Sequence, residues 1–201
     1  MGLFTETELR NVARSRMTAR ARSAGAILKE DVSNASTTQN FDVFLSHSSK
    51  DSEVILGVKV ILEGQGLSVY VDWIEDPHLD RENVTPETAE RLRTRMKQSK
   101  SLIYAHSNNS PDSKWMPWEL GYFDGIKGTI AVFPIARTAD ETFKGQEFLG
   151  LYPYVDNIST SSLYVNRGKA PRSSLGQVEA GKTYRAFKDW MRGRAGVRFS
   201  G

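Results

Sequence analysis

Apolar residues recur at helical spacing from the start of the chain. Leu9, Val12, Ala13, Met17, Ala21, Ala24 and Leu28 fall close to a 3.6-residue repeat, which predicts a helix over 5–28. Thr5 or Thr7 is placed to cap it, with Glu6 and Glu8 in the first turn, where the helix dipole favours acids. DVSNASTTQN (31–40) is polar and aperiodic and reads as a linker. The pattern then changes. FDVFLS (41–46) is a short apolar run of the kind made by a parallel strand covered on both faces. Val54, Ile55, Val58, Ile61 and Leu62 mark one face of a helix, with Gly64 and Gly66 as stop signals. LSVYVD (67–72), SLIYAHS (101–107) and TIAVFPI (129–135) are further strands. Between the first two of these, Thr85-Pro86-Glu87 opens a helix running through TAERLRTRMKQS. From 140 to 172 the pattern weakens, with a strand expected around LYPYVD and another at SLYVN. TYRAFKDWMRG closes the chain as an amphipathic helix.

Strands alternating with helices imply a parallel sheet with helices on both faces. Five such strands predict an α/β fold: a flavodoxin-like, doubly wound, five-stranded parallel sheet in the order 2-1-3-4-5. The expected organisation is an N-terminal helical extension (1–30), a linker (31–40) and one α/β domain (41–194).

Composition narrows the chemistry. The 201 residues hold no apolar run of the roughly eighteen residues that spans a membrane, and no secretory h-region is expected. The absence of cysteine excludes disulfides, cysteine zinc sites and thiol nucleophiles, and agrees with a cytoplasmic protein. His47, His78 and His106 lie far apart in sequence, so no metal site is expected. The acids Asp72, Glu75, Asp76, Asp80 and Glu82 lack the spacing of a calcium loop. Neither a P-loop nor a G-x-G-x-x-G fingerprint is present. The net charge is only +3, but Arg10, Arg14, Arg16, Arg20, Arg22 and Lys29 crowd the N-terminal segment. With no aromatics among them, a solvated helix face is expected rather than a nucleic-acid site.

Candidate chemistry gathers at SKWMPWELGYFDG (113–125). In a 2-1-3-4-5 sheet, ligands bind where the strand order reverses, at the C-terminal ends of the first and third strands. The loops SHSSKD (46–51) and SNNSPDSKW (107–115) both end there. Asp112 or Ser113 is placed to cap the following helix, with Pro117 in its first turn. Trp115 and Glu119, four apart, share a face of that helix, as a stacking wall and a carboxylate. Trp118 points elsewhere and reads as packing. His47 has two readings, a ligand contact and a loop histidine satisfied by backbone. His106 reads as a packed, hydrogen-bonded residue.

FDVFLSHSSKD, VYVDW, QSKSLIYAHS and SKWMPWELGYFDG resemble the Toll/interleukin-1 receptor (TIR) domain, particularly its bacterial members, over about residues 41–135. The resemblance implies an NAD+ glycohydrolase or cyclase that cleaves the nicotinamide–ribose bond. NAD+ is then substrate, and no cofactor is needed. Glu119 aligns with the family's essential glutamate and Trp115 with an aromatic that lines the nucleotide site. Ser46, His47 and Ser48 fall in the loop that contacts substrate. The loop from Trp73 to Pro86 matches one that mediates assembly and gates the site, with Trp73 at the substrate; here it is acidic and lacks the Pro-Gly pair of many relatives. The implied partners are further copies of the chain, through TIR–TIR contacts, and a separate effector reached through a nucleotide product. Size and the lack of a receptor segment liken the chain to the signal-producing component of a Thoeris-type anti-phage system.

One carboxylate suffices for such a reaction. Glycosidases need two because their leaving group must be protonated. Nicotinamide already carries a positive ring nitrogen and leaves neutral, so only the oxocarbenium-like transition state needs stabilising. Two other readings stand beside this one. A non-catalytic TIR adaptor would depend on the 73–86 loop and not on Glu119. A nucleoside-processing transferase would act on free nucleosides and leave NAD+ alone.

Overall fold

The computed structural model describes residues 3–71, 85–139, 141, 146–159, 162–166 and 184–193. In chain order these form β1 (Phe4–Thr5), α1 (Glu6–Arg20), α2 (Ala24–Asn34), β2 (Phe41–Ser46), α3 (Ser52–Gly64), β3 (Val69–Val71), α4 (Pro86–Lys97), β4 (Ser99–His106), α5 (Trp115–Ile126), β5 (Ile130–Ala136), β6 (Tyr154–Ser159), β7 (Ser162–Asn166), β8 (Tyr184–Ala186) and α6 (Phe187–Arg192). Short 3-10 turns at Ser110–Asp112 and Glu147–Leu151 precede α5 and β6.

The sheet runs β3-β2-β4-β5-β6-β7-β8, with β1 paired to β5. Its first five strands are parallel and follow the expected 2-1-3-4-5 order. The expected five-stranded sheet is extended by β7 and β8, which add antiparallel, and by β1, which joins parallel at Ile135 and Ala136. Side chains alternate between two cores, as the two-residue period of a strand requires. Val43, Leu45, Ile103, Ala105 and Phe133 face one side with residues of α1, α2, α3 and α6. Phe44, Leu102, Tyr104 and Val132 face the other, under Leu92 and Met96 of α4 and Met116, Leu120 and Phe123 of α5. Every residue of β5 is buried, which accounts for an unbroken apolar run.

The expected helix over 5–28 is two helices. Thr5 caps the first in a reciprocal box with Glu8. It ends at Ala21, a left-handed residue at φ 48°, and Ser23 then caps α2 by accepting the Ala26 amide. The expected linker 31–40 begins inside α2, which runs to Asn34, because Val32 packs on the core. The rest of it is held by Arg95, which donates to the Ala35 and Ser36 carbonyls with its guanidinium over Phe41 and Tyr70. The closing helix starts later than its pattern indicated, since Tyr184–Ala186 pair with β7.

Leu9, Ala13, Ile27 and Leu28 of the N-terminal helices are buried, and Phe4 stacks on Phe133 with ring centroids 4.4 Å apart. Gly57 makes the tightest seat. A Cβ there would lie 2.2 Å from the Leu9 carbonyl oxygen, so α1 crosses α3 at backbone contact. The basic face of α1 meets acids: Arg10 pairs with Glu6 and Glu53, Arg16 with Glu63, and Arg20 with Glu30 and Asp31. Lys59, 5% exposed, donates to Glu63 and lies 2.9 Å from Asp31, so one buried cation joins α2 to α3. No helix among the described residues is long and apolar enough to cross a membrane.

Candidate active site

From β2 the chain goes to β3 on one side, and it later enters β4 on the other, so the strand order reverses between β2 and β4. Ser46 ends β2 and stands in register with Tyr104 of β4. Residues 44 and 46, like 102, 104 and 106, point to the α5 face by alternation. Ser113 accepts the Met116 amide at 3.3 Å just before α5, but the N-cap itself is Lys114, one residue beyond the expected Asp112 or Ser113, and its side chain makes no capping bond. Glu119, one turn in, is directed back over the sheet.

Glu119 is only 7% exposed, although it is a carboxylate on the outer layer of the fold. Ser46 Oγ donates to Glu119 Oε2 at 2.5 Å, a charge-assisted bond across 73 residues of sequence. A buried carboxylate needs such partners to offset the loss of water. Trp115 lies one turn earlier on the same face and is half-buried. Its ring meets Trp118 edge-on, with centroids 5.2 Å apart at 82°. Trp118 in turn stacks on Tyr122 and lies under the Arg93 guanidinium of α4. It packs beside α4 and against the core beneath α5, in keeping with its reading as packing.

His47 and Ser48 are buried beside Ser46. The His47 ring is turned to its own backbone, with Nδ1 3.0 Å from the Leu45 carbonyl oxygen. That acceptor fixes the proton on Nδ1. Ser48 Oγ accepts the Lys50 amide at 3.5 Å and shapes the turn into α3. The structure thus brings together Ser46, His47, Ser48, Trp115 and Glu119 at the ends of β2 and β4 and the start of α5. Trp73, with nearly all of the 73–86 loop, lies outside the described residues.

The roles of Asp51, Lys50 and Tyr104 at this crevice were not expected. Asp51 is buried and accepts from Ser107 Oγ at 2.5 Å and Asn109 Nδ2 at 2.6 Å, tying the loop after β2 to the loop after β4. Lys50 and Asp112 add an exposed bridge of 2.8 Å between the same loops. The partners of Asp51 are 56 and 58 residues away, a separation no local pattern reveals. Tyr104 is fully buried beside Ser46, and its hydroxyl has no hydrogen-bond partner among the described residues. Its pKa is pushed up to about 12, first by burial and then by the charge of Glu119. His106 stacks on Tyr104 with ring centroids 6.3 Å apart, and burial holds its pKa below the usual value, leaving it neutral at neutral pH.

Residues 43–162 match the family described as TIR domain. The chain is 43% identical over 197 residues to a protein of Bacillus cereus (strain MSX-D12) named "Probable 3' cyclic ADP-D-ribose synthase ThsB'", covering 95% of this chain and 98% of the relative. It is 37% identical over 108 residues to the "Putative cyclic ADP-D-ribose synthase TIR2" of Cytobacillus dafuensis, covering 53% of this chain and 28% of that one.

Proposed function

This chain belongs to the TIR-domain family, and on that premise we propose that it cleaves NAD+ at the nicotinamide–ribose bond and closes the ADP-ribose half into a cyclic product. The observation that carries this reading is the buried Glu119 carboxylate at the switch point, held by Ser46 and followed back one turn by Trp115. The names of two relatives as cyclic ADP-D-ribose synthases support it.

Glu119 is the reacting-site carboxylate. The C1–N bond to nicotinamide breaks with its electron pair going to the ring nitrogen, so the leaving group departs neutral and needs no acid. Positive charge grows on the ribose ring, and a carboxylate fixed in a poorly solvated site stabilises it more than water would. Ser46 keeps the carboxylate in one orientation, so little reorganisation is required during the step. An internal nucleophile of the same molecule then captures the cation and passes its proton to Glu119. Trp115 forms the wall that keeps the dinucleotide folded and water out, which favours ring closure over hydrolysis. The loops joined by Asp51 form the floor. The cyclic nucleotide serves as a diffusible signal to a separate effector, in an anti-phage role of the kind the family resemblance implied, and copies of the chain associate through TIR–TIR contacts to complete a working site.

The test is NAD+ consumption by concentrated wild-type protein and by Glu119→Gln, with products separated by chromatography. Nicotinamide release with a cyclic ADP-ribose peak from wild type, and turnover lowered at least about a hundred-fold in the variant, is the expected result. Wild-type protein that leaves NAD+ intact when concentrated would overturn the reading in favour of an adaptor.

A further inference from the structure

The Tyr104 hydroxyl has no structural explanation. Its ring fills the core between β4 and α5, a place that a phenylalanine would fill as well, as Phe44 does on the neighbouring strand. The oxygen is sealed from solvent and makes no hydrogen bond among the described residues. Burying an unpaired hydroxyl costs about 1–3 kcal/mol, so a merely packed ring at this position would be better without it. Three features place the group at the reacting carboxylate. Tyr104 is the cross-strand partner of Ser46, which itself donates to Glu119. Both point to the face that α5 covers. Burial and the charge of Glu119 both oppose ionisation of the hydroxyl, which keeps it a donor at neutral pH.

We propose that Tyr104 is a positioning residue for Glu119, its hydroxyl donating to the carboxylate alongside Ser46 when substrate fills the crevice. The inference rests on the reading of Glu119 as the reacting carboxylate. Of these two donors, it is Ser46 that bonds the carboxylate in the structure. Substrate adds a developing cation on the outer side of the carboxylate, and a second donor on the sheet side fixes its plane against that pull. The unpaired hydroxyl is thus a cost to stability that the bond to Glu119 would recover during turnover.

Tyr104→Phe removes the oxygen and nothing else, and it separates this role from a structural one. The expected result is a kcat lowered about ten- to a hundred-fold with KM little changed, the loss of one hydrogen bond to a charged group. The melting temperature should stay the same or rise, because an unpaired buried polar atom has gone. Wild-type kcat in the variant would overturn the proposal, as would a raised KM with kcat intact, which would put the hydroxyl on substrate. A lowered melting temperature would overturn it too, since it would mean that the hydroxyl already has a structural partner. If wild-type protein itself leaves NAD+ untouched, the functional reading fails and takes this inference with it. If wild type turns over and the variant matches it, only the inference fails.

Discussion

Ser46 and Glu119 are 73 positions apart and meet at 2.5 Å, and on the proposed mechanism that contact sets the orientation of the reacting group. Ser46→Ala leaves the carboxylate buried with one donor fewer. Turnover of NAD+ should fall about ten-fold, with the circular dichroism of the fold unchanged. Equal turnover would show that other donors hold Glu119. At this scale the chain was partly legible. Trp115 and Glu119 share a face because helices repeat every 3.6 residues, and Ser46 ends, and His47 follows, a strand whose end faces the crevice. The two readings of His47 could not be separated in one dimension. The structure turns its Nδ1 to the Leu45 carbonyl oxygen. Tyr104 and Asp51 carried no readable sign, since a buried tyrosine in an apolar strand reads as core and an aspartate before a helix reads as a cap.

Elements rather than single residues decide how the N-terminal segment is used. The helix α1 lies against α3 closely enough that Gly57 has room for no side chain beside the Leu9 carbonyl. Gly57→Ala must push two helices apart or bend one of them. The expected loss is about 2 kcal/mol, which for a chain of this size lowers the melting temperature by roughly 4–8 °C. Calorimetry measures the loss, and amide exchange should locate it in α1 and α3. An unchanged melting temperature would show that α1 is not seated so closely. The periodicity of 5–28 announced a helix correctly but could not show its break, because Ala21 has no propensity for the left-handed conformation it adopts. Ser23, a cap for α2, was the available local sign. Likewise, the strands at Phe4–Thr5 and Tyr184–Ala186 are too short to show a period and exist only through their partners β5 and β7.

The fold is held partly by ion pairs between neighbouring elements, and these make stability depend on pH. Asp31 is partly buried, which by itself raises its pKa, but Lys59 and Arg20 outweigh burial and hold it below its usual 3.8. Asp42 is lowered in the same way against burial by Lys100 and Ser68. Carboxylates with a folded pKa below the unfolded one stabilise the fold above the unfolded value, and lose that contribution as pH falls through the folded one. The melting temperature should therefore hold between about pH 5 and 7 and fall as pH drops below about 4. Asp31→Asn should be less stable at neutral pH and should lose less on acidification. A variant with the same acid slope as wild type would show that Asp31 carries none of it.

The sequence by itself determined the alternation of strands and helices, the 2-1-3-4-5 order of the parallel strands and the helix that bears Glu119. The elements follow from local periodicity, and the order is the one that this number of alternating strand–helix units commonly adopts. Only the tertiary structure decided that Ser46 grips Glu119, that Asp51 joins two loops, that Tyr104 keeps an unpaired hydroxyl beside them, and that residues before the linker share the core. Those features depend on atoms brought together from distant parts of the chain, where hydrogen bonds and close packing act over a few ångströms. No pattern along one dimension encodes which distant residue will supply the partner.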